Sequence, residues 1–173
     1  MVKWLTRIIV VLLVAGVSIF LVGTMLPQDH TASRTAHLTQ SPDHVWATIT
    51  DVAAFPSWRS EVDSVTQLAP HDGKMVWREI SKHQNKLTYE AETSVPPEHL
   101  VTRIVDKGLP FGGSWDFAIS PDGEGSKISI TEKGEVYNPV FRVVSRVMGQ
   151  TPSIDAYLTA LAARLGDKYV PAR

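Results

Sequence analysis

Between Ile8 and Leu26 the chain runs for nineteen residues without a charge (IIVVLLVAGVSIFLVGTML), and beyond Pro27 its character changes to that of a folded domain. At ~1.5 Å per helical residue, such a run covers roughly the ~30 Å hydrocarbon core of a bilayer. Lys3 and Arg7 precede it and no acid occurs before Pro27. The positive-inside rule therefore leaves the N-terminus in the cytoplasm and the remainder outside. Trp4 stands where an aromatic belt residue would sit. A cleaved secretory signal also opens on positive charge, but its apolar core is only ~7–15 residues and ends in a small-x-small site. Thr24-Met25-Leu26-Pro27 offers no such site. The expectation is an uncleaved, single-pass cell-membrane anchor over residues 1–27, with an extracytoplasmic domain behind it. Gly16 and Gly23 share a helix face at a spacing that could bring two anchors together, although ordinary glycine in a membrane helix is the simpler account.

Composition bounds the rest of the chain. Without the first 26 residues it has 147, the size of one domain with a proper core, and carries 15 basic and 18 acidic side chains, a formal charge of −3. That balance disfavours nucleic acid or an anionic lipid surface as the main partner. With no cysteine there is neither a disulfide nor a thiolate metal site. The six histidines show no metal-ligand spacing, so no metal and no cofactor are expected. No G-x-S-x-G elbow, phosphate loop or dinucleotide fingerprint occurs. Gln28 to Ser33 (QDHTAS) reads as a short spacer, which puts the domain at residues 34–173.

Local patterns then give the order of elements. Arg34 to Thr39 reads as a short strand, and Ser41-Pro42-Asp43 is a helix start, with Val45, Trp46 and Ile49 on one side of the helix. Asp51 to Trp58 suggests a second brief turn. From Glu61 onward, alternating stretches broken at His71-Asp72-Gly73, Pro96-Pro97, Gly112-Gly113 and Asp122-Gly123 read as about six strands in hairpins. Leu87, Tyr89, Ala91, Thr93 and Val95 share one strand face, and Trp115, Phe117 and Ile119 another. Ile128 and Ile130 continue the pattern, so Glu132 falls where an apolar residue is due. After Val136 the period becomes helical through Val140, Val144 and Val147, then Ile154, Tyr157, Leu158, Leu161 and Leu165. Thr151-Pro152 either caps a second helix or kinks one long helix. The result is an α+β domain whose curved antiparallel sheet wraps a long C-terminal helix.

Three stretches, SPDHVWATITDVAAFPSWRSEV (41–62), LPFGGSWDF (109–117) and GEVYNPVFRVVSRVMG (134–149), followed by IDAYLTALAARLG (154–166), resemble the SRPBCC superfamily, also called START-like or helix-grip. The resemblance is to its polyketide cyclase/dehydrase and lipid transport members. It covers Arg34 to Gly166 and implies a cavity between sheet and last helix that accepts lipids, polyketides or other apolar molecules.

Along that cavity the expected ligand-binding residues are Trp58, Trp77, Tyr89, Trp115 and Phe117, with Tyr137 and Phe141 near its mouth. Aromatics offer large apolar area with little rotamer freedom to lose, though any one of them could equally be plain core. Glu132 and Glu79, the latter sharing a face with Trp77 and Met75, are the polar candidates, each either inside the pocket with a raised pKa or a strand-end carboxylate paired to an arginine. Arg78 and Arg103 then point outward as partners, or occupy the cavity if the register is reversed. Leu109 and Phe111, in the turn before Gly112, either cover the entrance or make a plain connection. The expected activity is binding of a hydrophobic small molecule or lipid, with no catalytic residues. The alternatives are a cyclase or dehydratase working through Glu132 or Glu79, and a cell-envelope protein-interaction module whose pocket is filled core.

Overall fold

The computed structural model describes residues 2–171. An apolar helix, α1 (Val2–Met25), leads into β1 (Asp29–Leu38), α2 (Pro42–Thr50), a 3-10 turn (Val52–Ala54) and the short α3 (Phe55–Trp58). Six strands come next, β2 (Val62–Gln67), β3 (Val76–Ser81), β4 (Lys86–Val95), β5 (His99–Ile104), β6 (Phe111–Asp122) and β7 (Gly125–Val136), and then α4 (Pro139–Met148) and α5 (Pro152–Arg164). Strands β2 to β7 form an antiparallel meander, and β1 pairs with the open edge of β7, giving the order β1-β7-β6-β5-β4-β3-β2.

Alternation sets the inner face. On β7, Ile128 and Ile130 are fully buried, and on β6 Phe117 and Ile119 join them. Against this face α5 presses Ile154, Leu158 and Leu161, while α2 adds Val45 and Ile49 from the side of β6 and β7. Each such side chain contributes about 1.5–3 kcal/mol relative to exposure. The start of α2 is fixed as its sequence implies: Ser41 Oγ accepts from the His44 N–H, and Pro42 occupies the first turn. Bulges at Ala91/Thr93 and Val62/Ser64 bend the strands they interrupt. Gly113, at φ +127°, faces Gly134 across the β6–β7 ladder, and a side chain on Gly113 would run into the Lys133 carbonyl.

One expectation changes at this level, and one open alternative is decided. Residues 29–33, within the expected spacer, are ladder: β1 starts at Asp29, and His30, Thr31, Ala32 and Ser33 pair with Gly134, Lys133, Glu132 and Thr131. A polar edge strand needs only its backbone and alternate inward positions, so QDHTAS hides a strand. The C-terminal stripe is also two helices rather than one. Asn138 Oδ1 caps α4 by accepting from the N–H groups of Val140 and Phe141, and Gly149, at φ +88°, ends it. No residue of α4 is buried, and the helix packs mainly on α1, touching the sheet only at its edge through β7 and Phe111.

That junction is specific. Arg142 donates to the carbonyl oxygens of Gly23 (3.3 Å) and Leu26 (3.4 Å) at the end of α1, to Gln28 Oε1 (3.4 Å), and to the carbonyls of Val136 (2.7 Å) and Tyr137 (3.2 Å). A cation placed on the unpaired carbonyls of a helix C-terminus satisfies them and complements the dipole. Gly23 lies so close to the backbone of Pro139 that a Cβ there would overlap its carbonyl, whereas Gly16 meets nothing. The small residue at 23 is thus taken up within the chain. α1 is, by length and composition, able to cross a membrane: 23 apolar-rich residues from Lys3 to Met25, nearly all exposed.

Gly23→Ala is predicted to separate α4 from α1 at a cost of about 1–3 kcal/mol, the usual range for overpacking. Hydrogen exchange of residues 139–148 should accelerate while that of β6 and β7 stays unchanged.

Candidate functional site

Because α5 covers only part of the concave face, a cavity of about 460 Å³ remains under its N-terminal half, within the size range of small-molecule sites. Its apolar wall comes from Trp77 and Leu87, Tyr89, Leu100, Phe111, Trp115 and Phe117 on the sheet, from Phe55, and from Tyr157 on α5. Trp77 stacks on Tyr89 (5.5 Å between centroids, 18°), and Tyr157 stands edge-on to Trp115 (5.6 Å, 80°). These rings hold one another in place, so a ligand meets a preformed surface.

The wall carries two polar stations. At the first, Arg59 enters just behind α3 and donates to Glu79 Oε1 (3.0 Å) and Glu61 Oε1 (2.8 Å), with its guanidinium over the rings of Phe55 (4.9 Å) and Tyr157 (5.3 Å). Trp77 Nε1 donates to the same Glu79 oxygen at 3.0 Å. Glu79 Oε2 takes no hydrogen bond among the described residues, on a side chain that lines the cavity. Burial works against the charge on Arg59, but Glu79, Tyr157 and Glu61 together raise its pKa above the ordinary arginine value. Burial, with Glu79 adding to it, also raises Tyr89 well above a free phenol. Tyr157 is raised by burial first, with Arg59 pulling it down and Glu79 pushing it up.

At the second station Glu132 is held on both oxygens. Oε1 pairs with His30 Nε2 (3.1 Å), while Oε2 accepts from Trp115 Nε1 (2.9 Å) and Ser153 Oγ (3.0 Å). The His30 ring lies over Gly134, where a Cβ would strike it. Four elements, β1, β6, β7 and α5, thus converge on one carboxylate. Its placement is a matter of parity: Glu132 is the next inward position after Ile130.

Of the residues singled out from the sequence, Trp77, Glu79, Tyr89, Trp115, Phe117 and Glu132 line the cavity. Trp58 lies outside its lining. Its ring packs edge-on to Phe55 and Tyr157 and borders a smaller hollow of about 280 Å³ beside His44, Asp51 and Arg164. Its buried Nε1 has no partner among the described residues. Tyr137 and Phe141 are also outside the lining, but each touches it: Phe141 stacks on Phe111 (6.2 Å, 19°), and Tyr137 Oη lies 2.7 Å from where a Cβ on Gly112 would stand. Leu109 is not part of the lining. Arg78 and Arg103 do face away, bonded to Thr88 and Glu92. Arg59, His30 and Tyr157 are site residues that the sequence does not single out. Tyr157 is visible there only as one step of the α5 stripe, while Arg59 and His30 acquire meaning only through partners far away in the chain.

A curved antiparallel sheet gripping a C-terminal helix over an aromatic cavity defines the helix-grip class of ligand-binding domains. Residues 29–166 match the family described as polyketide cyclase / dehydrase and lipid transport, and the chain belongs to that family. Among solved structures, a START superfamily protein from Mycobacterium smegmatis is 16% identical with a TM-score of 0.62, over 79% of this chain and 97% of that one. The Zhui aromatase/cyclase from Streptomyces sp. R1128 is 15% identical with a TM-score of 0.63, over 80% and 94%. A Thalictrum norcoclaurine synthase is 12% identical with a TM-score of 0.62, over 79% and 94%. At these identities the likeness is one of fold. No curated protein matches the sequence significantly.

The first polar station generates two predictions. Glu79→Ala strands Arg59 in a largely buried position and should cost about 3–5 kcal/mol in chemical denaturation, toward the lower end because Glu61 remains. The second concerns alkaline pH. All four tyrosines, Tyr89, Tyr137, Tyr157 and Tyr169, are raised in the folded state, whereas in the unfolded chain they titrate near ~10. The unfolded state therefore loses its protons first. This contribution to stability is complete below about pH 10 and is lost as pH climbs through the higher folded values. Denaturation midpoints should fall above about pH 10, and Tyr157→Phe should flatten the fall.

Proposed function

We propose that this chain is a membrane-anchored, extracytoplasmic binding protein that holds a hydrophobic small molecule or lipid between sheet and α5 and does no chemistry on it. The observation that carries the reading is the preformed, aromatic-walled cavity of about 460 Å³ whose three carboxylates, Glu61, Glu79 and Glu132, are all engaged by protein donors. An apolar ligand would gain contact with Trp77, Tyr89, Trp115 and Phe117 at roughly 25 cal/mol per Å² buried. Glu79 Oε2 would accept one hydrogen bond from its polar end. The anchor argument rests on α1, on Lys3 and Arg7 before its apolar run, and on the absence of acids ahead of Pro27. A tether keeps the cavity beside the bilayer, so cargo need not cross much water.

A second reading, a cyclase or dehydratase, draws on one observation: the free oxygen of Glu79 shares the cavity with the protonated phenols of Tyr89 and Tyr157, a carboxylate next to two weak acids. Against it stands the geometry: the other Glu79 oxygen is already taken by Arg59 and the Trp77 indole.

In titrations with a fluorescent fatty acid or sterol analogue, Trp115→Ala and Tyr89→Ala should each weaken binding by roughly ten- to a hundredfold, about 1–3 kcal/mol, with the circular dichroism spectrum retained. Unchanged affinity in both variants would remove the assignment of the cavity as the binding site. Glu79→Gln should leave no turnover to lose. A polyketide-like substrate consumed by the parent protein and not by this variant would favour the enzyme.

A further inference from the structure

Helix α4 is an anomaly in a domain that otherwise buries its apolar faces. Val140, Val143, Val144, Val147 and Met148 fall on one arc of it, and none is buried; Val147 is 84% and Met148 72% exposed. An apolar face of this kind needs a cover. Its position says what the cover is. At ~1.5 Å per residue, the 23 residues from Lys3 to Met25 extend about 35 Å, slightly more than the ~30 Å hydrocarbon core. The last turn of α1 then reaches the headgroup boundary, and α4 is clamped to that turn by Gly23 against Pro139 and by Arg142 on the carbonyls of Gly23 and Leu26. From Val136 to Gln150 the chain has two arginines and no acid, which suits a helix lying in the membrane surface. The same helix borders the cavity, since its Phe141 stacks on Phe111, which lines it.

We infer that α4 lies in the plane of the membrane surface with its apolar face among the lipids that surround α1, and that the Phe111 rim of the cavity opens onto that lipid surface. This rests on the proposed anchoring and adds to it. The domain does not swing on a tether; it is docked mouth-down, and a ligand passes between bilayer and cavity along α4. Occupation of the α4 face by a second copy or by a soluble partner protein would need that protein to displace lipid at the same depth.

The test uses the full chain in phosphatidylcholine/phosphatidylglycerol vesicles. The protein has no cysteine, so single-cysteine variants take one environment-sensitive fluorophore each. Leu12→Cys reports on α1, Val144→Cys and Val147→Cys on α4, Leu109→Cys on the loop beside the rim, and Lys127→Cys on the exposed start of β7. Nitroxide lipids labelled near the headgroup should quench positions 144, 147 and 109 severalfold more than 127, and deep nitroxides should quench position 12. Quenching at 12 with 144 and 147 in water would overturn the inference and leave the anchor standing. Quenching at 144 and 147 but not at 109 would remove the lipid-facing mouth. Blue-shifted emission at 147 without lipid quenching would mean that a protein covers α4, which also overturns it. No quenching at 12 would sink the anchoring itself and this inference with it.

Discussion

Ile154, Leu158 and Leu161 drive α5 into the concave side of the sheet, and where that packing stops everything else is decided. The helix has thirteen residues, about 20 Å, and begins only at Pro152 because Gly149 has already ended α4. Ser153, Ala156 and Tyr157 on the first turns of α5 roof the cavity, and the break at Gly149 lets α4 turn away toward α1.

The open space stays ordered because its polar groups are tied to one another. Glu132 gathers donors from β1, β6 and α5, so the indole of Trp115 has a fixed orientation. Arg59 does the same at the other station, binding α3, the turn before β2, and β3 through the ring of Phe55, Glu61 and Glu79. Buried charge of this kind is stabilising only when well paired, and the pairing here leaves Glu79 Oε2 without a hydrogen bond among the described residues, on a side chain that lines a mostly apolar chamber. Such a chamber suits an amphipathic guest with one donor end. It suits proton transfer less, because the carboxylate that would act as base is the partner of a guanidinium.

Much of the fold is legible in the sequence. Alternation in β6 and β7 separates inner from outer faces, and parity puts Glu132 and Glu79 on the inner one, whereas in β4 the bulge between Ala91 and Thr93 breaks the expected alternation and leaves Val95 exposed; resemblance supplies the helix-grip arrangement itself. The failures have physical causes. Val140, Val144 and Val147 repeat as a core stripe does, yet periodicity states only that a helix has an apolar face, and this face looks away from the sheet. QDHTAS lacks hydrophobic alternation because β1 is an edge strand whose inner side meets Gly134 and Glu132 rather than a wall of aliphatics. Arg59 and His30 carry no local mark, since Glu79 and Glu132 lie 20 and 102 positions along the chain. Trp58, expected in the cavity, packs edge-on to Phe55 and Tyr157 and borders the smaller hollow instead.

The most direct test of the central claim is native mass spectrometry of the full chain, released from nanodiscs prepared from the producing cells, with organic extraction of whatever it carries. The account predicts one apolar or lipid molecule per protein, lost on Trp115→Ala. A chain that is empty, and that stays empty when offered fatty acid, sterol and phospholipid probes, would contradict it.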